Sequence, residues 1–327
     1  MIYGQQIEKG YGFLWQGDLD AVRMGFIPSG SLHAGVIAER LLGFGAELIE
    51  LHPDKAYSNG MCLNDGVGGI DAVLRSEISE YCLILGLYGV IMCLDCGERV
   101  VVIDRSGRLV ASDVMGQIAA QGLKAETVVA PRHVNSGLGQ LRIQRLIMTE
   151  EGGEGLAEHI VGVPAACAYD TEGRFFFTGG VEGEVIVQRD DLLPVLALLS
   201  EIKRHGSIEA RLALEPARFA AQVDLTQAIP NFQAHFIEAI ARAPQALQAI
   251  MADEILTFDG APNVRIEFRS GTVLHIHTIH SMLRFRAIAE SATLAAAEAR
   301  LTQLIDAAAV VSRLLDCSDG VADLDGA

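Results

Sequence analysis

Two short apolar runs mark the first third of the chain, Leu87 to Leu94 and Val100 to Ile103. Each is aliphatic or β-branched and is bounded by glycine or charged residues, which is typical of a buried strand. Residues 95 to 99 between them are predicted to form a loop, where functional side chains often lie. The turn Arg105 to Arg108 follows, because Gly107 tolerates a positive φ.

A strand, helix and strand pattern precedes these runs. The sequence predicts a strand at Arg23 to Ile27, a helix with an apolar stripe at His33 to Phe44, and a second strand at Glu47 to Leu51. Gly45 is the expected end of the helix. A βαβ unit of this kind implies parallel strands.

The middle of the chain is predicted to add three helices and three strands. The helices are Ile70 to Glu80, Asp113 to Gly122 and an amphipathic segment, Asp190 to Arg204, capped at Asp190 or Asp191. The strands are Glu126 to Ala130, Arg174 to Phe177 and Val185 to Gln188. Residues 131 to 170 are predicted to alternate short helices with glycine turns.

The pattern changes after Gly206, and a domain boundary is predicted between 207 and 215. The predicted strands beyond it are Ala220 to Asp224, Glu254 to Phe258, Val264 to Phe268, Val273 to Thr278 and Leu283 to Ala289, and the predicted helices are Asn231 to Ala241 and Thr293 to Leu315. Arg269 to Gly271 is expected to be a hairpin turn between paired strands.

Composition and charge narrow the class of protein. A chain of 327 residues with 50% hydrophobic residues is typical of a soluble α/β protein of two or three domains. The net charge of -17 argues against a nucleic-acid partner, which requires a basic surface. Neither a signal peptide nor a membrane-length apolar run is visible, so we expect a cytoplasmic protein without a membrane partner.

Six cysteines are scattered along the chain at 62, 82, 93, 96, 167 and 317. Their spacing indicates no disulfide framework, and reduced thiols are expected. Cys93 and Cys96 form a C-x-x-C pair. A single pair is weak support for zinc or for thioredoxin chemistry, and buried thiols at a strand end are favoured.

The stretch Leu85 to Asp113 resembles a unit of the phosphohexomutases, the family of phosphoglucomutase and phosphomannomutase. In that family the loop has the pattern Asp-Gly-Asp-x-Asp-Arg, and a V-V-D-x-x-G turn follows, much like Val102 to Gly107 here. Phe44 to Leu48 is similar to the end of a family helix. Asp259 to Leu274 and then Leu283 to Ser291 resemble the last family domain.

This resemblance implies a fold class and a domain plan. The expected fold is α/β, with two phosphohexomutase-like α/β/α domains that have mixed sheets, followed by an α+β C-terminal domain with an antiparallel sheet packed by helices. The expected segments are a lead-in at 1–22, a domain like family domain II at 23–122, one like domain III at 123–212, one like the C-terminal domain at 213–316, and an acidic tail at 317–327.

The loop that holds Mg²⁺ in the family differs here. The three family carboxylates correspond to Leu94, Cys96 and Glu98, and only Arg99 matches the family pattern. We therefore interpret Asp95, Cys96, Glu98 and Arg99 as a degenerate metal loop.

The family loops that bind the sugar and the phosphate also differ. The sugar loop, G-E-x-S-G-H in the family, corresponds to Gly180, Glu182 and Glu184, so its sugar-binding side chains are replaced. The phosphate loop, R-P-S-G-T-E-P in the family, corresponds to a stretch with His277, His280, Ser281 and Arg284. A neutral imidazole carries no charge, so weak phosphate affinity is expected.

Three histidines offer a different chemistry. His275 and His277 share a face of a strand, and His280 follows in the loop, so the three are a candidate metal site. The favoured interpretation is three partly exposed histidines on a sheet, since no acidic residue or cysteine lies beside them in the sequence.

The family nucleophile, a serine within T-A-S-H-N-P of its first domain, has no counterpart here. Ser29 and Ser31 lie in no such motif, and the domain itself is expected to be missing. Phosphoryl transfer depends on positioning and charge neutralisation, so no catalytic residue and no cofactor are predicted, with Mg²⁺ and Zn²⁺ left open.

Three hypotheses follow for the function. The first is a non-catalytic phosphohexomutase-like protein that acts as a binding, regulatory or assembly module, as a homo-oligomer or with a protein partner. The second is a divergent sugar-phosphate-binding protein or enzyme with a rebuilt active site. The third is a metal-binding module built on the histidines.

Overall fold

The computed structural model contains two compact units, and the sequence boundary between them lies between Ala217 and Arg218. The structure describes residues 19–28, 32–53, 72–94, 99–149, 152–181, 184–215, 219–226, 244–260, 264–278 and 284–322, together with single positions at 235, 238, 240 and 242. The predicted helix at Asn231 to Ala241 and the loop at 95–98 lie wholly or mainly outside the described residues.

The first sheet of the first unit is mixed. Its strands are β1 (Arg23–Ile27), β2 (Glu47–Glu50), β3 (Gly89–Leu94) and β4 (Arg99–Asp104), in the order β2-β1-β3-β4. β1 pairs in parallel with β2 and β3, and β3 pairs antiparallel with β4. The helices α1 (Leu32–Gly43) and α2 (Ala72–Leu85) complete this part of the unit and confirm the predicted βαβ order.

The second sheet of the first unit is also mixed, in the order β6-β5-β7-β8-β9. Its strands are β5 (Thr127–Pro131), β6 (Arg145–Thr149), β7 (Ala166–Tyr169), β8 (Phe175–Val181) and β9 (Glu184–Arg189). β5 pairs in parallel with β6 and β7, and the last three strands pair antiparallel.

The expectation of only short helices and turns over residues 131 to 170 was wrong. Two 3₁₀ helices do lie there, Ser136–Gln140 and Glu154–Ile160, but β6 and β7 lie there too. Both strands are short, and their pattern is set by pairing with β5 rather than by local sequence alone.

Helices join the two sheets in one hydrophobic cluster. α3 (Ser112–Gly122) packs against α4 (Leu193–Ser200), and residues of both helices share that cluster with Ile91 of the first sheet and Val128 of the second. α5 (Ile202–His205) and α6 (Ile208–Leu212) follow. The first unit therefore has a continuous core.

The helix predicted at Asp190 to Arg204 differs from expectation in two ways. It is divided between α4 and α5, and every residue from Leu193 to Leu199 is buried, so α4 is not amphipathic. Buried residues of α4, and Ile202 of α5, belong to the hydrophobic cluster that contains residues of both sheets. Asp190 was predicted as a candidate cap of this helix, and its Oδ1 accepts a hydrogen bond from the Leu192 N–H, just before α4, at 3.1 Å.

The second unit contains one antiparallel sheet. Its strands are β10 (Phe219–Thr226), β11 (Ile255–Gly260), β12 (Val264–Phe268), β13 (Val273–Thr278) and β14 (Arg284–Ser291), in the order β10-β14-β13-β12-β11. α7 (Pro244–Met251) and α8 (Leu294–Ala322) pack on one face of it, in a cluster that contains Ile266, Leu274 and Leu301. This is the predicted antiparallel sheet packed by helices, and α8 continues past residue 317, where the acidic tail was expected to begin.

The expected fold class, α/β with mixed sheets and a later antiparallel sheet, is confirmed. The division of the first 212 residues into two phosphohexomutase-like domains stays a prediction. Within the described ranges, no helix combines the length and apolarity needed to span a bilayer.

Candidate functional site

The degenerate metal loop begins at the end of β3 and ends at the start of β4. Leu94 closes β3 and pairs with Arg99 of β4. The side chain of Leu94 is fully buried, in a cluster with Ile78 of α2 and Ile103 of β4. A buried leucine offers no oxygen ligand, so the residue predicted to stand at the first family metal position does not fit Mg²⁺.

Arg99 is the one residue of this loop that the structure describes. Its Nη1 lies 3.2 Å from Oε2 of Glu172, in the turn between β7 and β8. Both side chains are about three-quarters buried, at 22% and 26% exposure. The ion pair therefore ties the first sheet to a turn of the second. Asp95, Cys96 and Glu98 lie outside the described residues.

Two buried aspartates organise turns of the first unit, and the second of these turns contains Glu172. Asp104 accepts hydrogen bonds through Oδ1 from the Ser106 and Arg108 N–H groups, at 2.9 and 3.0 Å. Asp170 accepts from the N–H groups of Glu172 and Arg174, at 3.0 and 3.1 Å. Each carboxylate satisfies the donors of a tight turn, which is a structural role for an Asp at this position. The second turn holds Glu172 in place for Arg99.

The turn after β4 confirms a prediction made from one residue. Gly107 has φ of +76°, and a Cβ at this position would lie 2.5 Å from the Arg75 carbonyl oxygen. Only glycine combines that backbone conformation with so close an approach to α2.

The degenerate sugar loop forms the end of a hairpin. Gly180 pairs with Val185, and Val181 pairs with Glu184, so both Gly180 and Glu184 belong to the paired strands β8 and β9. Glu182 lies outside the described residues. The assignment of these positions to a former sugar loop stays a prediction.

In the second unit, the degenerate phosphate loop lies between β13 and β14. His277 pairs with Arg286 across these strands, and Arg284 pairs with Thr226 of β10. His280 and Ser281 lie outside the described residues.

The three histidines were expected to be partly exposed, which is wrong for His275. That side chain is only 2% exposed, and its Nε2 lies 3.6 Å from Oε1 of the fully buried Glu290. In the sheet it pairs with Arg265 of β12 on one side and Ile288 of β14 on the other. Among the described residues, no group of three side chains could hold a metal ion. His280 lies outside those residues, so the histidine metal site stays a prediction.

A polar cluster at the end of the first unit was not predicted from the sequence. Glu215 is buried, and its Oε2 accepts hydrogen bonds from Gln117 and Gln121 of α3, at 2.8 and 2.7 Å. Its Oε1 is bonded to Arg211 of α6. The i, i+4 spacing of Gln117 and Gln121 is the signal that could have indicated a shared polar partner. The cluster fastens α3 to α6.

One curated relative and a set of solved structures are similar to this chain. The chain is 21% identical over 304 residues to a phosphomannomutase of Sinorhizobium fredii, an alignment that covers 87% of this chain and 62% of the relative. No family model matches the sequence.

Two solved structures show the shared fold. A phosphoglucomutase/phosphomannomutase family protein of Burkholderia thailandensis superposes with a TM-score of 0.57 and 15% identity, over 95% of this chain and 65% of that one. Parafusin, a phosphoglucomutase of Paramecium, superposes with a TM-score of 0.62 and 14% identity, over 95% and 62%. This chain thus spans a little under two thirds of these relatives, and it resembles the phosphohexomutases in sequence and has their fold.

Proposed function

We propose that this chain is a phosphohexomutase-like protein without mutase activity, which acts as a binding or assembly module. The observation that carries the proposal is the burial of Leu94, the residue predicted to stand at the first metal-ligand position of the family: its side chain has 0% exposure and is packed in the core. A small movement of the chain cannot bring an oxygen ligand to this position, because the Leu94 side chain is packed in the core.

The Arg99 to Glu172 ion pair supports the same proposal. A cationic side chain that is to bind an anionic substrate is usually directed to the ligand, whereas this guanidinium bonds a carboxylate of its own chain. The pair joins two sheets, which is a structural use of a residue that the family motif retains.

The direct test is an assay of the purified chain with glucose 1-phosphate and mannose 1-phosphate in the presence of Mg²⁺. We expect no conversion to the 6-phosphates above that in buffer, and no heat of binding for any of the four sugar phosphates in calorimetry. Conversion, or saturable binding, would contradict the proposal and favour the sugar-phosphate-binding alternative with a rebuilt cleft.

A charge swap separates a structural Arg99 from a ligand-binding one. Arg99→Glu and Glu172→Arg alone should each lower the thermal midpoint, and the double variant should recover most of the loss. A partly exposed ion pair contributes about 0.2 to 1 kcal/mol, so the shifts will be small and require matched replicates. A double variant no more stable than the worse single variant would contradict the structural role.

A further inference from the structure

The outer edge of β6 is open in the part of the chain that the structure describes. β6 is the last strand of its sheet, and no described strand pairs with its outer side. Its inner side pairs in parallel with β5, where the Arg145 N–H donates to the Glu126 carbonyl at 3.0 Å and the Arg132 N–H donates to the Thr149 carbonyl at 2.9 Å. An edge strand with free backbone groups is a template for pairing with another strand.

The direction of the free backbone groups follows from these two hydrogen bonds. In a parallel ladder, alternate residues direct both N–H and C=O to the same neighbour. Arg145 and Thr149 direct theirs to β5, and Ile147 therefore does so as well. The N–H and C=O groups of Leu146 and Met148 accordingly point away from the sheet.

The same two residues have exposed apolar side chains. Leu146 is 38% and Met148 40% exposed. They pair with Val128 and Ala130 of β5 and lie on the same face of the sheet. Val128 and Ala130 belong to the buried core, so Leu146 and Met148 continue its apolar surface to the edge of the sheet.

Two other edge strands carry more protection than β6, which has a charged residue, Arg145, at one end only. β2 has Glu47 and Glu50 at its two ends, and β11 has a register irregularity near Leu256 and an aspartate at 259. Charges and bulges of this kind prevent pairing of strands between molecules. Between Leu146 and Met148 there is neither.

We propose that β6 pairs antiparallel with β6 of a second copy of this chain, about a two-fold axis at Ile147. In this register Leu146 of one copy lies opposite Met148 of the second copy, and each such pair exchanges two backbone hydrogen bonds. The interface is isologous and self-complementary, as a two-fold dimer requires.

Side chains and charge both suit this register. Apolar residues face apolar residues, and Arg145 faces Thr149 of the second copy, so no like charges are directly opposed.

This inference names a partner for the assembly role and in that respect rests on the proposed function, but its test is independent of the mutase assay. The two copies should give a particle of twice 35.0 kDa in light scattering. Measurement at about 50 μM covers the micromolar affinities usual for small interfaces. A monomer at that concentration would overturn the inference, whatever the assay shows.

A cysteine at the axis tests the register. Ile147 and Ile147 of the second copy form a pair without backbone hydrogen bonds, in which Cα atoms lie about 4.5 Å apart, within the range of a disulfide. We expect Ile147→Cys to give a covalent dimer on mild oxidation, in a background with Cys62, Cys96 and Cys317 changed to Ser. Leu83→Cys is the control, because Leu83 is 84% exposed and lies on α2, outside the edge.

A charged pair tests the surface without the disulfide. Leu146→Lys with Met148→Lys should shift the particle to 35.0 kDa, and Leu83→Lys should leave it dimeric. Both lysines are added at solvent-exposed positions, so the fold, followed by circular dichroism, should be retained. A dimer that persists in the double variant, or that fails to cross-link through Ile147→Cys, would contradict pairing through β6.

Discussion

Three cysteines, Cys82, Cys93 and Cys167, are buried and free within the described residues. Burial raises the pKa of the Cys93 thiol to about 12. Burial, followed by the charges of Asp104 and Glu209, raises the pKa of Cys82 to about 11. Burial raises the pKa of Cys167 as well. Because the thiolate is the nucleophile, these residues should be unreactive in the folded protein.

The prediction is that iodoacetamide at about pH 8 labels these three thiols only as fast as the protein unfolds. Mass spectrometry of the labelled peptides measures this, with the same reaction in guanidinium as the control. Unfolded thiols ionise above about pH 8.5 and the folded ones do not, so stability should also fall as pH rises from there toward the folded pKa values. Rapid labelling of Cys93 in native buffer would contradict the burial.

Glu215 gives a second prediction at the residue scale. Glu215→Gln removes one of the two carboxylates that face Arg211, which is itself only 7% exposed, and leaves Glu201, 3.6 Å from the Arg211 Nε, as its remaining charged partner. The expected cost is about 1 to 3 kcal/mol in the free energy of unfolding, because an amide cannot accept from Gln117, Gln121 and Arg211 as the carboxylate does. Calorimetric unfolding measures the shift, and Glu158→Gln, at an exposed position, is the matched control.

Single residues were predicted well where the backbone alone decides. Gly107 was assigned a positive φ from its place in a turn, and Gly45 was assigned the end of α1, where its φ is +95°. Side-chain exposure was predicted less well. Val36 and Leu42 belong to the apolar stripe expected for α1, yet they are 56% and 54% exposed. Periodicity identifies a helix, but the width of its buried face depends on the elements packed against it.

At the scale of elements, α3 offers a prediction that reverses a helix propensity. A Cβ at Gly116 would lie 2.7 Å from the ring of Tyr169 in β7. Gly116→Ala should therefore destabilise the first unit by about 1 to 3 kcal/mol, despite the better helix propensity of alanine.

The control for Gly116→Ala is Gly43→Ala, in the last turn of α1. A Cβ at Gly43 meets no atom within 4 Å, so this variant should be neutral or slightly more stable. Thermal unfolding of both variants measures the difference. Equal effects of the two substitutions would show that the close contact between α3 and β7 is wrong.

Strands with a regular apolar pattern were the easiest elements to predict. β3, β4, β12 and β13 were located from sequence to within two residues. β6 and β7 were missed because each lies among glycines and polar residues, where no run of apolar residues stands out. Their pairing with β5 is a long-range property, which a local pattern does not contain.

At the scale of the whole molecule, the order of the matched motifs along the chain predicted the fold better than the low sequence identity would suggest. At 21% identity, the two matched blocks and their order were enough to predict the fold that the comparisons bear out. The candidate site was predictable only in part: the sequence predicts both the missing carboxylate at Leu94 and its place in a buried strand, but not which residues surround Arg99. The partner of Arg99 could not be predicted, since Glu172 is brought to it by the packing of two sheets.

The Glu215 cluster also determines when the first unit can be completed during synthesis. Gln117 and its carboxylate partner are 98 positions apart in the chain. At about 5 to 20 residues per second, the ribosome delivers Glu215 roughly 5 to 20 s after α3. Until then the amides of α3 and the guanidinium of Arg211 lack this acceptor, so the nascent unit remains open to chaperones over that interval.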